Sequence, residues 1–185
     1  MLIGLTGTLG AGKGTVVEYL VQKKGFTHFA VSEGFLALEA ARRGMEPDRI
    51  ARHNIANEFR SKGATALMEA VYAEATKDGI PDRLIVEPQH TKAEVEFIKE
   101  QGGIVIAVDA DLPIRYERIK KRGTAKDNVT YEEFVRVQTL EMVSDDPNKN
   151  NLAASIEAAD HYVLNNGTLE ELHIELDELC EKLGI

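Results

Sequence analysis

A glycine-rich run near the start of the chain has the residue types that bind phosphate. It lies between a short apolar segment and a helix-like segment and reads Gly7-Thr8-Leu9-Gly10-Ala11-Gly12-Lys13-Gly14-Thr15. Glycines let successive backbone N–H groups point at one anion, and the start of a helix adds a positive dipole end. Lys13 supplies a cation for the β- and γ-phosphates. The run therefore predicts a P-loop in which residues 7–15 bind ATP.

The position after the lysine departs from the general P-loop pattern, which has Ser or Thr there. Gly14 follows Lys13 here, and the hydroxyl comes one place later at Thr15. Because Gly14 has no side chain to ligate Mg²⁺, we expect the metal to be held by phosphates, water and a distant carboxylate rather than by a dedicated protein site. Thr15 is expected to face the α- or β-phosphate.

Basic side chains follow the fourth predicted strand. Phosphoryl transfer depends on positive charge around the γ-phosphate oxygens. Arg118 and Arg122 are four residues apart and share one helix face, so we expect them to act as a catalytic clamp on the transferred group. The alternative is a solvated basic face that includes Lys120 and Lys121. Arg136 is a weaker candidate on the next helix, for substrate binding.

Two residues follow the third predicted strand at the edge where parallel sheets bind ligands. Glu87 could hold Mg²⁺ through water or accept a proton from the acceptor, and its alternative role is to cap a helix. His90 could titrate near neutral pH and contact the acceptor. The alternative for His90 is a polar surface position.

The rest of the chain alternates apolar runs with helix-period segments, which is typical of a parallel sheet covered by helices. We predict an α/β P-loop NTPase fold: a three-layer sandwich with a five-stranded parallel sheet, helices on both faces and a small lid. Residues 1–185 form a single domain, with a substrate-binding helical insertion at about 33–77 and a lid at about 123–150. The predicted strands are Leu2–Thr6, Phe26–Val31, Arg83–Glu87, Gly103–Asp109 and Asp160–Leu164.

Composition limits the partners. The 185 residues have a net charge of −9, which disfavours stable binding to a nucleic-acid polymer. The lone Cys180 fits a reducing cytoplasm, and no run approaches the ~20 apolar residues of a membrane span. We therefore expect a cytoplasmic monomer or homodimer that does not associate with membranes and whose partner is a small-molecule phosphate acceptor.

Several motifs carry a family resemblance. The string G-x-x-G-x-G-K-G-T at residues 7–15 resembles the adenylate-kinase branch of the nucleoside-monophosphate kinases. Residues 28–32 are similar to the place where those kinases run from the second strand into the substrate-binding helix, which implies a substrate role for Ser32. Residues 115–123 are similar to the helix that leads into their arginine-bearing lid.

The end of the chain resembles a neighbouring group. Residues 160–172 are similar to the last strand and loop of dephospho-CoA kinases and their relatives, in which this loop passes near the adenine of ATP. That resemblance implies that Asn166 and Gly167 contact the cofactor. In the middle of the chain, Arg60 matches a recurrent arginine of the relatives and is expected to bind acceptor phosphate. Ala37 and His90 stand where the relatives often have an arginine.

These features imply a kinase and leave its acceptor open. The first hypothesis is transfer from ATP to a nucleoside or deoxynucleoside monophosphate, and the second is a dephospho-CoA kinase. A third hypothesis is a regulatory ATPase or switch without a small acceptor. Paired arginines in a lid favour a kinase, because a switch usually takes its arginine from a partner. The missing arginines at Ala37 and His90 favour a switch or an unusual substrate.

Overall fold

The structure, a computed structural model, describes residues 1–124, 128–144, 146 and 149–185. At its centre is a five-stranded parallel sheet with the strand order β2-β3-β1-β4-β5. The strands are β1 (Leu2–Gly7), β2 (Thr27–Ala30), β3 (Leu84–Gln89), β4 (Ile104–Asp109) and β5 (His161–Leu164). The predicted α/β P-loop fold is confirmed, with β3 running two residues further than predicted.

Helices connect the strands. In chain order they are α1 (Lys13–Lys24), a π-helical turn (Val31–Leu36), α2 (Ala37–Arg42), α3 (Arg49–Lys62), α4 (Ala66–Thr76), α5 (Lys92–Glu100), α6 (Leu112–Arg122), α7 (Tyr131–Met142), α8 (Leu152–Glu157) and α9 (Leu169–Leu183). Local chemistry sets several of the starts. Thr168 caps α9 in a capping box with Glu171, and the Thr130 hydroxyl caps α7.

The sheet buries both faces, because successive side chains of a strand point to opposite sides. On β1, Ile3 and Leu5 pack with α1 and α9, whereas Leu2 packs on the opposite face. On β3, Ile85 packs in the same core as Ile3 and Leu5, and Val86 packs in the core on the opposite face, with Leu2. That opposite core is completed by apolar residues of the π-helical turn and of α2 to α5. The result is the predicted three-layer arrangement.

The carboxyl ends of the strands meet at one edge of the sheet. Gly7 of β1 is paired with Val108 of β4, and Asp109 of β4 with Leu164 of β5. The residues that follow these strands therefore converge, as ligand sites of open parallel sheets require. None of the helices built from the described residues is both long enough and apolar enough to span a membrane.

Candidate active site

The glycine-rich run forms a tight loop between β1 and α1. Gly7 and Gly12 have φ angles of 132° and 103°, in the left-handed region that favours glycine. A β-carbon at Gly7 would collide with the carbonyl oxygen of Val108, and one at Gly12 with the side-chain amide of Asn165. Glycine is therefore required at both positions. The loop lines a groove of about 560 Å³ at the end of the sheet.

Lys13 is one of the residues that line this groove. Its Nζ donates hydrogen bonds to the carbonyl oxygens of Gly7, at 2.7 Å, and Thr8, at 2.9 Å. Burial lowers the pKa of Lys13 to about 8, although the carboxylates of Glu87, Glu141 and Asp109 oppose that shift. An anionic phosphate would favour the protonated form, so the site is suited to a triphosphate.

Asp109 is a functional candidate that the sequence reasoning missed. It ends β4 and accepts hydrogen bonds from the Thr8 hydroxyl and from the backbone N–H of Ala110, at 2.8 Å. The Nε of Arg115 lies 3.7 Å from the same carboxylate. The sequence does contain an indication of this role, because Asp109 is an acidic residue at the carboxyl end of the strand beside β1. Asp109 ties the phosphate loop to α6.

The loop after β5 packs against the phosphate loop through Asn165 rather than through its neighbours. Asn165 is 6% exposed and its Nδ2 donates to the carbonyl oxygen of Ala11 at 2.8 Å. The carbonyl oxygen of Asn165 accepts from Nη1 of Arg118 at 2.9 Å, and the carbonyl oxygen of Gly167 is 3.5 Å from Nη2. Asn166 accepts a hydrogen bond from the backbone N–H of Asp111.

The predicted catalytic residues converge on the groove. Arg118, Arg122 and Glu87 line it together with the phosphate loop. The guanidinium of Arg118 is bonded to backbone carbonyls of the loops on either side, so it also holds those loops together. Glu87 lies 3.0 Å from Nε2 of His28.

A second cavity, which we call the acceptor cavity, has a volume of about 250 Å³, and its lining residue Pro88 directly follows Glu87 of the groove. The predicted residues Ser32, Arg60 and His90 line it. The described residues around it are Val31, Ser32, Leu36, Arg49, Arg52, His53, Ala56, Arg60, Leu67, Pro88, His90, Glu141 and Asn150. Most of its charged groups come from one face of α3, where Arg49, Arg52 and Arg60 recur at helical spacing. That spacing was a sequence signal for the two arginines that had not been predicted.

Arg60 has a buried carboxylate partner. The residue is 5% exposed, its Nε donates to Oε1 of Glu94 at 2.9 Å, and its Nη1 lies 3.2 Å from Oδ1 of Asn150. Glu94 is fully buried and its other oxygen accepts from the backbone N–H of His90 at 2.7 Å. Arg60 is thus part of the core as well as of the cavity wall.

His90 has an environment that changes its expected chemistry. Burial and the positive charges of Arg60 and Lys13 lower its pKa to about 3, so the titration near neutral pH expected from the sequence does not fit this site. Its Nδ1 is buried and has no hydrogen-bond partner within the described part of the chain. His90 is therefore a neutral imidazole in the cavity wall.

Arg136 lies outside both cavities. Its side chain is 63% exposed and pairs with Glu133 at 2.7 Å on the outer face of α7. The predicted lid at 123–150 falls partly on residues 125–127, 145, 147 and 148, which lie outside the described residues. Its described helix is α7, which contributes Glu141 to the acceptor cavity. Within the described ranges, no group of three or more His, Cys, Asp or Glu side chains has a metal-binding arrangement.

Comparisons with known proteins identify the family of this chain. The AAA domain family matches residues 3–141. A dephospho-CoA kinase of Corynebacterium glutamicum is 30% identical, over 98% of this chain and 96% of that protein. A UPF0200 protein of Methanocaldococcus jannaschii is 26% identical, over 99% of this chain and 90% of its own length.

Solved structures show the same fold at low identity. Shikimate kinase from Bacteroides thetaiotaomicron superposes with a TM-score of 0.64 at 14% identity, covering 100% of this chain and 99% of that one. TT1252 from Thermus thermophilus gives a TM-score of 0.60 at 20% identity, covering 99% and 97%. The chain therefore belongs to the AAA domain family and is a P-loop kinase-type phosphotransferase.

Proposed function

We propose that this phosphotransferase transfers the γ-phosphoryl group of ATP to a small phosphorylated metabolite, with nucleoside and deoxynucleoside monophosphates as the first acceptors to test. The observation that carries the proposal is the arginine-lined cavity beside the P-loop groove. In a chain of net charge −9, a concentrated basic surface of this kind suits an anionic acceptor. Glu87 lines the groove and the next residue, Pro88, lines the second cavity, so the two cavities are neighbours.

The donor side would hold ATP through the backbone N–H groups of residues 7–15 and the ammonium of Lys13. Arg118 and Arg122 would add positive charge to the groove, and Asn166 and Gly167 would lie toward the adenine. Mg²⁺ would be held by phosphate oxygens and water, and Glu87, which lines the groove, would contact its water shell. The metal would neutralise charge on the phosphates during transfer.

The acceptor side would use the guanidinium groups of α3. Arginine binds phosphate oxygens in pairs of hydrogen bonds, which fixes orientation as well as charge. A volume of about 250 Å³ suits the reacting end of a small molecule and excludes a folded polymer. Ser32 and Arg60 would contact this acceptor, with Glu87 and His90 at the edge of its site.

Dephospho-CoA is a second candidate acceptor. The support is the 30% identical relative that is named a dephospho-CoA kinase and that matches nearly the whole chain. Its phosphate groups would occupy the same basic surface. A regulatory ATPase without a small acceptor is a third candidate, but such a protein does not require a second cavity lined by three arginines.

A panel assay tests these alternatives. ADP formation from ATP and Mg²⁺ would be measured with each nucleoside monophosphate, each deoxynucleoside monophosphate, dephospho-CoA and no acceptor. We expect turnover to rise at least tenfold above the acceptor-free rate with one of these compounds. An acceptor-free rate that none of them increases would contradict a kinase of this class and would favour the switch.

Replacing Arg52 with alanine is expected to raise the acceptor KM about tenfold or more and to leave the ATP KM within twofold. Arg52 lines the acceptor cavity, where its Nη1 lies 3.3 Å from the Ser32 hydroxyl and 3.0 Å from Glu33. One charge-assisted contact to phosphate contributes about 1.5–3 kcal/mol to binding, and its loss corresponds to this tenfold or larger rise in the acceptor KM. The measurement is steady-state kinetics with both substrates varied. Arg43→Ala is the matched control, since Arg43 pairs with Glu39 and Glu58 away from both cavities.

Bound substrates are expected to slow hydrogen exchange in α7. This helix carries Glu141 in the acceptor cavity and Gln138 against Arg115, so closure of the lid would involve its backbone. Closure would exclude water from the transferred group. The measurement is amide exchange with and without diadenosine pentaphosphate, and α9 is the internal reference. Equal exchange in α7 under both conditions would argue against a lid.

A further inference from the structure

Among the described residues that line the acceptor cavity, one is a carboxylate and the other charged side chains are arginines. Glu141, near the end of α7, lines it together with Arg49, Arg52 and Arg60. A site that only held phosphate would gain nothing from a carboxylate, because two anions in a partly buried space repel each other. The presence of the Glu141 carboxylate in this cavity therefore indicates a role other than phosphate binding.

A chain of buried polar groups fixes Glu141 relative to the phosphate loop. The Nε2 of Gln138 donates to Oε2 of Glu141 at 3.2 Å, and Oε1 of Gln138 accepts from Nη1 of Arg115. Arg115 in turn donates from Nε to the carbonyl oxygen of Ala110 at 2.8 Å, and its Nη1 lies 3.4 Å from the carbonyl oxygen of Leu9. Gln138 is 3% exposed and Arg115 is 7% exposed. Glu141 is thus held in place, and Gln138 is its positioning residue.

The two candidate acceptors differ in the atom that attacks. In a nucleoside monophosphate the attacking oxygen belongs to a phosphate that is already anionic, so no base is required and a nearby carboxylate repels it. In dephospho-CoA the attacking oxygen is a ribose hydroxyl, whose proton must be removed as the bond forms. A fixed carboxylate among arginines fits an acceptor that presents a hydroxyl to Glu141 and an anionic group to α3.

We propose that Glu141 is the catalytic base for a hydroxyl acceptor, so that the substrate is an alcohol that also carries a phosphate or similar anion. The acceptor O–H gives its proton to the Glu141 carboxylate while its oxygen forms a bond to the γ-phosphorus of ATP. The bond between that phosphorus and the β–γ bridging oxygen breaks, and ADP leaves with the electron pair. The proton on Glu141 then passes to solvent. This inference rests on the proposed kinase function and chooses between its acceptors.

The surroundings of Glu141 suit this role. Burial raises the pKa of its carboxyl group, which makes it a stronger base than a surface glutamate. Arg49 from α3, Gln138 from its own helix and Lys13 from the phosphate loop oppose the shift and keep the ionised form available. In the described part of the chain, the other titratable groups that line the cavity are Arg52, Arg60, His53 and His90. Activity is therefore expected to fall as the pH drops through the raised pKa of Glu141.

Glu87 is less well placed for proton removal. It lines the P-loop groove and not the acceptor cavity, and its carboxylate lies 3.0 Å from His28. The two acids thus have different positions, Glu87 beside the donor phosphates and Glu141 beside the acceptor. The proton-accepting role that the sequence offered to Glu87 is assigned here to Glu141.

The test compares Glu141→Gln with the wild-type protein, using dephospho-CoA as the hydroxyl acceptor and AMP and CMP as phosphate acceptors. We expect wild-type transfer to dephospho-CoA, and a kcat about a hundredfold or more lower in Glu141→Gln. The acidic limb of the kcat–pH profile should disappear in this variant. Glu132→Gln, on the exposed face of the same helix, is the matched control and should behave as wild type. Glu141→Asp keeps an acid but withdraws it by one methylene, so it should lower kcat and retain an acidic limb.

The outcomes separate this inference from the proposed function. A Glu141→Gln variant that keeps its kcat, keeps its acidic limb or changes only the acceptor KM would overturn the inference. So would wild-type transfer to AMP or CMP without transfer to dephospho-CoA, although the proposed kinase function would then stand. Absence of acceptor-dependent turnover with dephospho-CoA and with every nucleoside and deoxynucleoside monophosphate of the panel would overturn both. If Glu141→Gln does not fold, the kcat of the Glu141→Asp variant becomes the test of the inference. An unchanged kcat in Glu141→Asp would also overturn the inference.

Discussion

Replacing Lys13 with alanine is expected to lower triphosphate turnover by about a hundredfold or more while the fold stays intact. Lys13 lines the P-loop groove, where its ammonium would neutralise charge on the transferred phosphoryl group. Its hydrogen bonds in the structure go to the backbone carbonyls of Gly7 and Thr8, and burial disfavours its charged form. Removing it should therefore leave the core unharmed.

The measurement for Lys13→Ala is kcat and KM for ATP, with circular dichroism and thermal unfolding to check the fold. Lys23→Ala is the matched control, because Lys23 is an exposed lysine on the same helix. The control should keep wild-type turnover. A Lys13→Ala protein that turns over ATP within tenfold of wild type would contradict the assignment of Lys13 to the phosphate site.

Replacing Arg60 with alanine is expected to lower the free energy of unfolding by about 3 kcal/mol or more. Arg60 pairs with Glu94, which is fully buried, so the variant would leave a carboxylate in the core without its cation. The measurement is urea unfolding. The double variant Arg60→Ala with Glu94→Gln removes the orphaned charge and should recover part of the loss.

A loss of less than about 1 kcal/mol in the Arg60→Ala variant would show that Glu94 finds another partner or takes up a proton. The kinetics of this variant have to be measured at a temperature at which it is folded. Under that condition the acceptor KM should rise more than the ATP KM, since Arg60 lines the acceptor cavity. An unchanged acceptor KM would leave Arg60 with a purely structural role.

The phosphate loop and the layered fold could be predicted because both depend on local patterns. The spacing of glycines and a lysine between an apolar strand and a helix is a property of nine consecutive residues. Strands such as β4, with β-branched residues buried on both faces, also show their type in the sequence. Helix starts also depend on local chemistry, as in the capping box of Thr168 and Glu171 at the start of α9.

The pairing of side chains across long sequence separations could not be predicted in the same way. The contact of Thr8 with Asp109 spans 101 residues, and that of Arg60 with Glu94 spans 34. A residue pattern indicates which face of a helix is apolar, but it does not indicate which partner meets a buried charge. For this reason Arg60 was expected to be a substrate ligand alone, whereas the structure gives it a partner in the core.

The sequence by itself determined that residues 7–15 form a P-loop on a parallel sheet, because backbone conformation and hydrophobic periodicity are set by neighbours along the chain. Only the tertiary structure decided which charged groups share a cavity. Packing brings α3 and the end of α7 to the same space, with Arg52 on one side and Glu141 on the other. The burial that follows neutralises His90 and raises the pKa of Glu141, since the charged form of a side chain depends on the solvent and charges around it in three dimensions.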